Sequence, residues 1–134
     1  MVQVVPEAGV GSDVVVLTVP ADGAYLSVLR TAAAGLAARL HFTLDEIEDL
    51  RIAVDEACAM LLADSSADTD LSCRFEVSED ALTVAVSVPA TRRKLPGTDT
   101  FAWMVLSALA GDVRSDSSGG RATIWLTKHR SGAV

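Results

Sequence analysis

Cysteine, basic residues and long apolar runs are all scarce in this chain, and each shortage excludes a class of protein. The 134 residues include only Cys58 and Cys73, which lie in apolar segments without a CxxC spacing, so we expect buried free thiols rather than a disulfide. Lys and Arg number 11 against 18 Asp and Glu, and the formal net charge of -7 disfavours binding to nucleic acid or to an anionic membrane surface.

Signals for export and for common catalytic sites are missing as well. No apolar run is long enough to span a membrane, and the first twenty residues contain no Lys or Arg, so they lack the charged head of a secretory signal. We therefore expect a cytoplasmic protein. The motifs HExxH, GxSxG and GxxxxGK[ST] do not occur, which removes support for a metalloenzyme or a serine hydrolase and predicts no metal site.

What the chain does have is enough apolar sequence for one core. Half of its residues are hydrophobic and the mean hydropathy is +0.36, so we expect a single domain over residues 1–134 with apolar surface left for a partner or a second copy. Residues 1–11 are rich in Pro and Gly and show no period, which predicts a loose arm, and residues 129–134 are expected to form a tail.

Three segments have the pattern of helices. Apolar residues recur every three or four positions over residues 23–40, and a second stripe begins at Leu44, just after Thr43. Thr43 and Glu46 have the spacing of a capping box, which marks the start of that helix. A strongly apolar segment, residues 101–110, precedes Gly111, a residue that commonly ends helices.

Alternating apolar and polar residues predict strands over residues 13–19, 71–77, 82–88, 112–115 and 121–128. Turns at residues 78–80 and 117–120 would join them into two hairpins. The order of elements predicts an α+β two-layer sandwich, with three helices covering one face of a mostly antiparallel sheet. Trp125 would then project from the outward side of the last strand, where it is either an interface residue or covered by another element.

The second helix carries the most informative side chains. Asp49, Glu56 and Met60 share one face with either Ile52 or Ala53, because their spacing is three or four residues. A carboxylate on that face would point at whatever covers it. The alternative is that Glu56 belongs to a solvated acidic face, as most glutamates in acidic helices do.

The segment FTLDEIEDLRIAVDEAC, residues 42–58, resembles the second helix of bacterial anti-sigma serine kinases, which have the histidine-kinase-like ATPase fold. The similarity extends over about residues 14–128. In that family the helix ends in Glu-x-x-x-Asn, where the Glu activates the attacking hydroxyl or water and the Asn holds the magnesium of ATP. The resemblance makes Glu56 the catalytic carboxylate. Met60 replaces the Asn, and its thioether is a poor ligand for a hard cation.

Two further nucleotide motifs of the family are altered. The adenine-binding turn Asp-x-Gly-x-Gly corresponds to VSVPATRRKLPG, residues 86–97, in which Gly97 is the only glycine and no Asp occurs. The glycine-rich lid corresponds to GTDTFAWMV, residues 97–105, where Phe101 and Trp103 are expected to stand in the approach to the phosphates. Both changes predict that nucleotide binding is weakened.

The last motif keeps a likeness to the family. Gly119, Gly120 and Thr123 in GGRATIWLTK resemble the glycine-threonine entry to the final strand. Met60, Gly97 and these three residues are therefore the positions expected around any bound ATP and magnesium. Because three of the four elements are changed and phosphoryl transfer depends on their joint geometry, the resemblance implies weak or lost ATP binding.

The first helix is the best candidate for binding a partner. Aligned without gaps, Arg30 falls on an arginine with which related anti-sigma factors contact their sigma factor, and Leu26 replaces a nearby acidic contact. Taken without the resemblance, Arg30 is equally an ordinary solvated arginine on a helix.

These features lead to one principal hypothesis and two alternatives. The resemblance implies an anti-sigma factor that sequesters an RNA polymerase sigma factor, is released by an anti-anti-sigma factor and forms a homodimer. The first alternative is an active serine kinase that phosphorylates the anti-anti-sigma factor with Glu56 as base. The second is an inactive half of a heterodimer with a competent kinase.

Overall fold

Six strands and three α-helices make up the described part of the chain, which in this computed structural model comprises residues 2–6, 13–63, 68–89 and 100–131. The elements are β1 (Val2–Pro6), β2 (Asp13–Pro20), α1 (Leu26–Arg39), α2 (Leu44–Leu62), β3 (Asp70–Val77), β4 (Ala81–Pro89), α3 (Phe101–Ala110), β5 (Asp112–Asp116) and β6 (Arg121–His129). The strands form one sheet in the order β1-β2-β3-β4-β6-β5, with every neighbouring pair antiparallel.

The helices pack on one face of this sheet and enclose the core, so the α+β two-layer sandwich is confirmed. Alternation along the strands places Phe75 and Val84 side by side and fully buried under the helices. Their neighbours Arg74 and Thr83 lie on the opposite face and are at least partly exposed. Helix α2 is the central helix, since it contacts α1 on one side and α3 on the other.

The N-terminal residues differ from the sequence prediction. Residues 2–6 form β1, which pairs with β2 from Val2 opposite Leu17 to Pro6 opposite Asp13. The prediction of a loose arm is therefore wrong for these residues, while residues 7–11 lie outside the described ranges. A five-residue strand has too little periodicity to be recognised, and its pairing depends on a neighbouring strand that the local sequence does not show.

The C-terminal residues are also more ordered than the predicted tail. Strand β6 continues to His129, and the backbone N–H of Ser131 donates to Glu46 Oε2 at 2.6 Å. Residues 132–134 lie outside the described ranges. The tail prediction is thus wrong for residues 129–131, because a hydrogen bond to the start of α2 holds the chain there.

Local hydrogen bonds fix the junction between α1 and α2. Helix α1 ends in a Schellman motif, in which Phe42 N donates to Ala37 O and His41 N to Ala38 O, both at 3.1 Å. His41 accordingly has a positive φ of 63°. The predicted capping box follows at once: Thr43 N donates to Glu46 Oε1 at 2.7 Å and Glu46 N to Thr43 Oγ1 at 3.1 Å.

Both cysteines are free and buried, as predicted. Burial, with a smaller contribution from the charge of Asp55, raises the pKa of the Cys58 thiol to about 12. Burial also raises the pKa of Cys73 well above its usual range. The two thiols therefore stay protonated and act as small apolar side chains of the core.

None of the three helices in the described ranges combines the length and the apolar character needed to cross a bilayer.

Candidate functional site

Helix α2 presents different charged groups on its two flanks. On the side of α1, Asp55 Oδ2 accepts from Arg30 Nη1 at 3.3 Å. On the opposite side, Asp49 Oδ2 lies 3.7 Å from Lys128 Nζ of β6. Glu56 follows Asp49 by two helical turns and therefore shares its flank, which faces β6 and α3. The consecutive residues Asp55 and Glu56 thus face different neighbours.

The predicted face of α2 lies at the border between solvent and core, since Ile52 on one side of Glu56 is exposed and Ala53 on the other side is fully buried. The choice between Ile52 and Ala53 stays open. Glu56 is half-buried, and no hydrogen bond or ion pair reaches its carboxylate from the described part of the chain. Its oxygens are therefore not committed to a structural contact there.

Met60 does not fit the role of a magnesium ligand. Met60 is 8% exposed and belongs to the hydrophobic core. A buried thioether offers no oxygen to a hard cation, which binds carboxylates, carbonyls and water. Within the described ranges no group of three or more His, Cys, Asp or Glu side chains is placed to hold a metal ion.

The glycine pair at the entry to β6 has a structural explanation. Gly119 and Gly120 have φ values of 63° and 76°, and Arg121 N donates to Ser118 O at 3.1 Å across them. Two central residues with positive φ define the tight turn that best suits the twist of a hairpin. The turn therefore explains why glycine is favoured at both positions without reference to a bound nucleotide. Thr123 follows on β6, half-buried opposite Asp116.

The remaining predicted nucleotide positions divide into three cases. Gly97 lies outside the described ranges. Trp103 is a core residue, so the expectation that its ring stands in the approach to the phosphates is wrong: on the helix that starts after Thr100, position 103 lies on the buried side. Phe101 is 79% exposed at the beginning of α3, where a ring could still meet an approaching ligand.

The two candidate partner-binding residues are both engaged within the chain. Leu26 is half-buried and packs against the core. Arg30 is paired with Asp55, and its side chain is 36% exposed. Arg30 is therefore neither a core residue nor the freely solvated arginine of the alternative interpretation. Sequence reasoning missed Asp55, because no local pattern relates two residues 25 positions apart.

Trp125 lies on the outward face of the sheet, as its position in the strand predicts. Its neighbours Ile124 and Leu126 are fully buried on the helix side, whereas Trp125 is half-buried. The Arg114 guanidinium lies 4.9 Å from the centroid of the indole ring and covers part of it. The role of Trp125 in an interface stays a prediction.

Known proteins similar to this chain place it in a class. It is 39% identical over 79 residues to the serine-protein kinase RsbW of Bacillus subtilis, covering 57% of this chain and 49% of that protein. It is 31% identical over 109 residues to the anti-sigma-F factor RsbW of Mycobacterium tuberculosis, covering 81% of this chain and 65% of that protein. The chain thus spans about half the length of several curated relatives that it matches. No protein-family model matches it.

A solved structure has the same fold. The crystal structure of the RsbU and RsbW domains of a Mycobacterium tuberculosis protein superposes with a TM-score of 0.64 at 14% identity, covering 86% of this chain and 32% of that one. This likeness shows the histidine-kinase-like ATPase fold. Taken with the sequence similarities, it supports an anti-sigma serine kinase family for this chain.

Proposed function

We propose that this chain is an anti-sigma factor, which binds an RNA polymerase sigma factor and is displaced from it by an anti-anti-sigma factor. The observation that carries the proposal is the similarity to a protein named anti-sigma-F factor, which extends over 81% of this chain. Holding a sigma factor requires a surface of the right shape and charge, whereas phosphorylation also requires a nucleotide and a metal ion. Binding can therefore persist where the nucleotide site has changed.

We further propose that ATP binding is weak or lost. The position expected to hold magnesium is a methionine packed in the core, and the glycines before β6 are accounted for by their turn. Positioning of the phosphates and the metal contributes most of phosphoryl-transfer catalysis. The loss of one oxygen ligand of the magnesium therefore weakens catalysis by more than the loss of a single contact would suggest.

Co-purification with the sigma factors of the host tests the anti-sigma proposal. The chain should form a stoichiometric complex with one of them, and Arg30→Glu should weaken it. Arg51→Glu is a matched control, because it reverses the same charge on α2 at a residue whose described ion-pair partner is the exposed Glu48. Absence of a complex with every sigma factor of the host would overturn the proposal.

An active serine kinase is the second candidate, favoured by the uncommitted Glu56 carboxylate and by relatives named serine-protein kinases. Calorimetry with ATP and Mg²⁺ distinguishes the two functions. A working site should release heat and raise the melting temperature with nucleotide concentration by mass action. Glu56→Gln should then keep ATP binding and lose phosphate transfer. No response at millimolar nucleotide would exclude the kinase and leave the binding function.

The proposed assembly is a homodimer, and its alternative is an inactive half of a heterodimer. Sedimentation equilibrium of the purified chain separates the two. A dimer mass supports the homodimer, and a monomer that pairs only with a kinase of the same family supports the heterodimer.

A further inference from the structure

The ion pair between α1 and α2 is incompletely satisfied. Arg30 Nη1 contacts a single oxygen of Asp55, Oδ2, at 3.3 Å. Arg30 Nε and Asp55 Oδ1 are both buried, and neither has a hydrogen-bond partner in the described part of the chain. Arginine binds a carboxylate best through two parallel N–H donors, so this pair uses only part of its capacity.

The pair is also accessible from outside. The side chains of Arg30 and Asp55 are 36% and 35% exposed, so each can be reached by an incoming group at the groove between the two helices. Ion pairs with this exposure stabilise a protein only slightly. A partner could therefore separate the two residues at little cost, provided that it offers Arg30 a better acceptor.

We propose that Asp55 competes with the partner for Arg30, holding Arg30 in the free protein until a carboxylate of the sigma factor replaces it. This inference rests on the proposed function, in which Arg30 contacts the sigma factor. The partner group must be acidic and must reach the groove between α1 and α2. When Arg30 turns outward, Nε and one Nη become free to bind that carboxylate at two points, which the contact with Asp55 does not achieve.

The exchange predicts opposite effects of one substitution on stability and on binding. Asp55→Asn removes the internal competitor, so the complex should become about two- to five-fold tighter, the range expected for an exposed pair. The melting temperature of the free chain should fall slightly, because the same substitution removes a contact between α1 and α2. If Asp55 had only a structural role, Asp55→Asn would instead lower both the affinity for the partner and the melting temperature.

The control must remove the same charge from the same helix. Glu48→Gln does so at an exposed pair with Arg51, 3.4 Å apart, and reports the general effect of a less acidic surface. In the double variant Arg30→Gln/Asp55→Asn, the gain from the second substitution should vanish, because no arginine is left to release.

Titration calorimetry of the wild-type chain and these variants with the sigma factor decides the matter. If the wild-type chain forms no complex, the proposed function fails. If it binds but Asp55→Asn binds no more tightly than Glu48→Gln, the inference about Asp55 is overturned. If Asp55→Asn does not fold, NMR of the ¹⁵N-labelled wild-type chain provides the test. The Nε–H signal of Arg30, which is assigned by its absence in Arg30→Lys, must shift when the complex forms. An unmoved signal would overturn the inference.

Discussion

Lys128 Nζ lies 2.8 Å from the carbonyl oxygen of Leu109, so a cation from the last strand caps the C-terminal end of α3. Helix α3, all of which is described, has no basic residue in its own last turn. A positive charge at this end of a helix binds carbonyls that lack intrahelical partners and opposes the negative end of the helix dipole. Lys128 also lies 3.7 Å from Asp49, which brings β6, α3 and α2 together at one point.

Lys128→Met should lower the free energy of unfolding by about 1 kcal/mol, the usual net value of such a hydrogen bond, because Met keeps the apolar stem and removes the donor. Asp49→Asn should change it by less than about 0.5 kcal/mol, since the longer and more exposed ion pair contributes little. Urea denaturation measures both variants. Equal losses would mean that the carboxylate, and not the helix end, is the important partner of Lys128.

The two sides of α3 should respond very differently to truncation. Leu106 is fully buried in the core, so Leu106→Ala should cost about 2–5 kcal/mol through lost burial and the cavity that it leaves. Met104 is 61% exposed on the same helix, and Met104→Ala should stay within about 0.5 kcal/mol. Thermal unfolding of the pair provides the comparison. Similar losses at both positions would contradict the packing of α3 described above.

Glu46 should make stability depend on pH. The N–H of Thr43, which donates to the carboxylate, and then that of Ser131 hold the pKa of Glu46 below its usual range. A lowered pKa in the folded state means that the carboxylate stabilises the fold above the unfolded-state pKa of about 4.3, and that this stability is lost as the pH falls through the folded value. Glu46→Gln should therefore be less stable than wild type at pH 7, and the difference should shrink in acid.

The control for this prediction is Glu79→Gln, which removes the same charge at an exposed position of the turn between β3 and β4. It measures the general effect of removing one negative charge. Chemical denaturation at a series of pH values from neutral to 3 gives both curves. A difference for Glu46→Gln that grew in acid would contradict the assignment.

His41 should be a site where glycine stabilises the fold. Its φ of 63° is costly for a residue with a Cβ, and the position that it occupies in the Schellman motif is usually glycine. His41→Gly should raise the free energy of unfolding by up to about 1 kcal/mol. The gain is reduced because glycine is more flexible in the unfolded chain and loses more entropy on folding. His41→Asn should be nearly neutral, and the β-branched His41→Val should destabilise. Melting temperatures that did not follow this order would contradict it.

The parts of the fold that the sequence predicts are those determined locally. Thr43 and Glu46 form the capping box that their spacing indicates, and α3 occupies the residues 101–110 that its apolar run indicates. The hairpin between β3 and β4 turns where the polar residues 78–80 interrupt two alternating strands. In each case the residues that decide the structure are neighbours in the chain, so a short stretch of sequence contains the whole explanation.

The parts that the sequence does not predict depend on distant contacts. Strand β1 is defined by its pairing with β2, and the Arg30–Asp55 pair by the packing of two helices. Trp103 illustrates the same limit at the candidate site: its ring is a plausible obstacle in the sequence, but the orientation of α3 turns it into the core. The family resemblance identifies Arg30 as a candidate for partner binding, but only the fold shows that Arg30 contacts Asp55 in the free chain.

The route of the chain between β2 and β3 has an evolutionary consequence. Both strands are neighbours in the sheet, yet α1 and α2 lie between them in sequence, so one continuous insert carries Arg30, Asp55 and Glu56. A recombination event that exchanged only this insert would transfer the proposed partner contact and the proposed catalytic carboxylate together, and the sheet of the recipient would stay unchanged. Grafting residues 21–69 into a relative would thus move both properties as a single module.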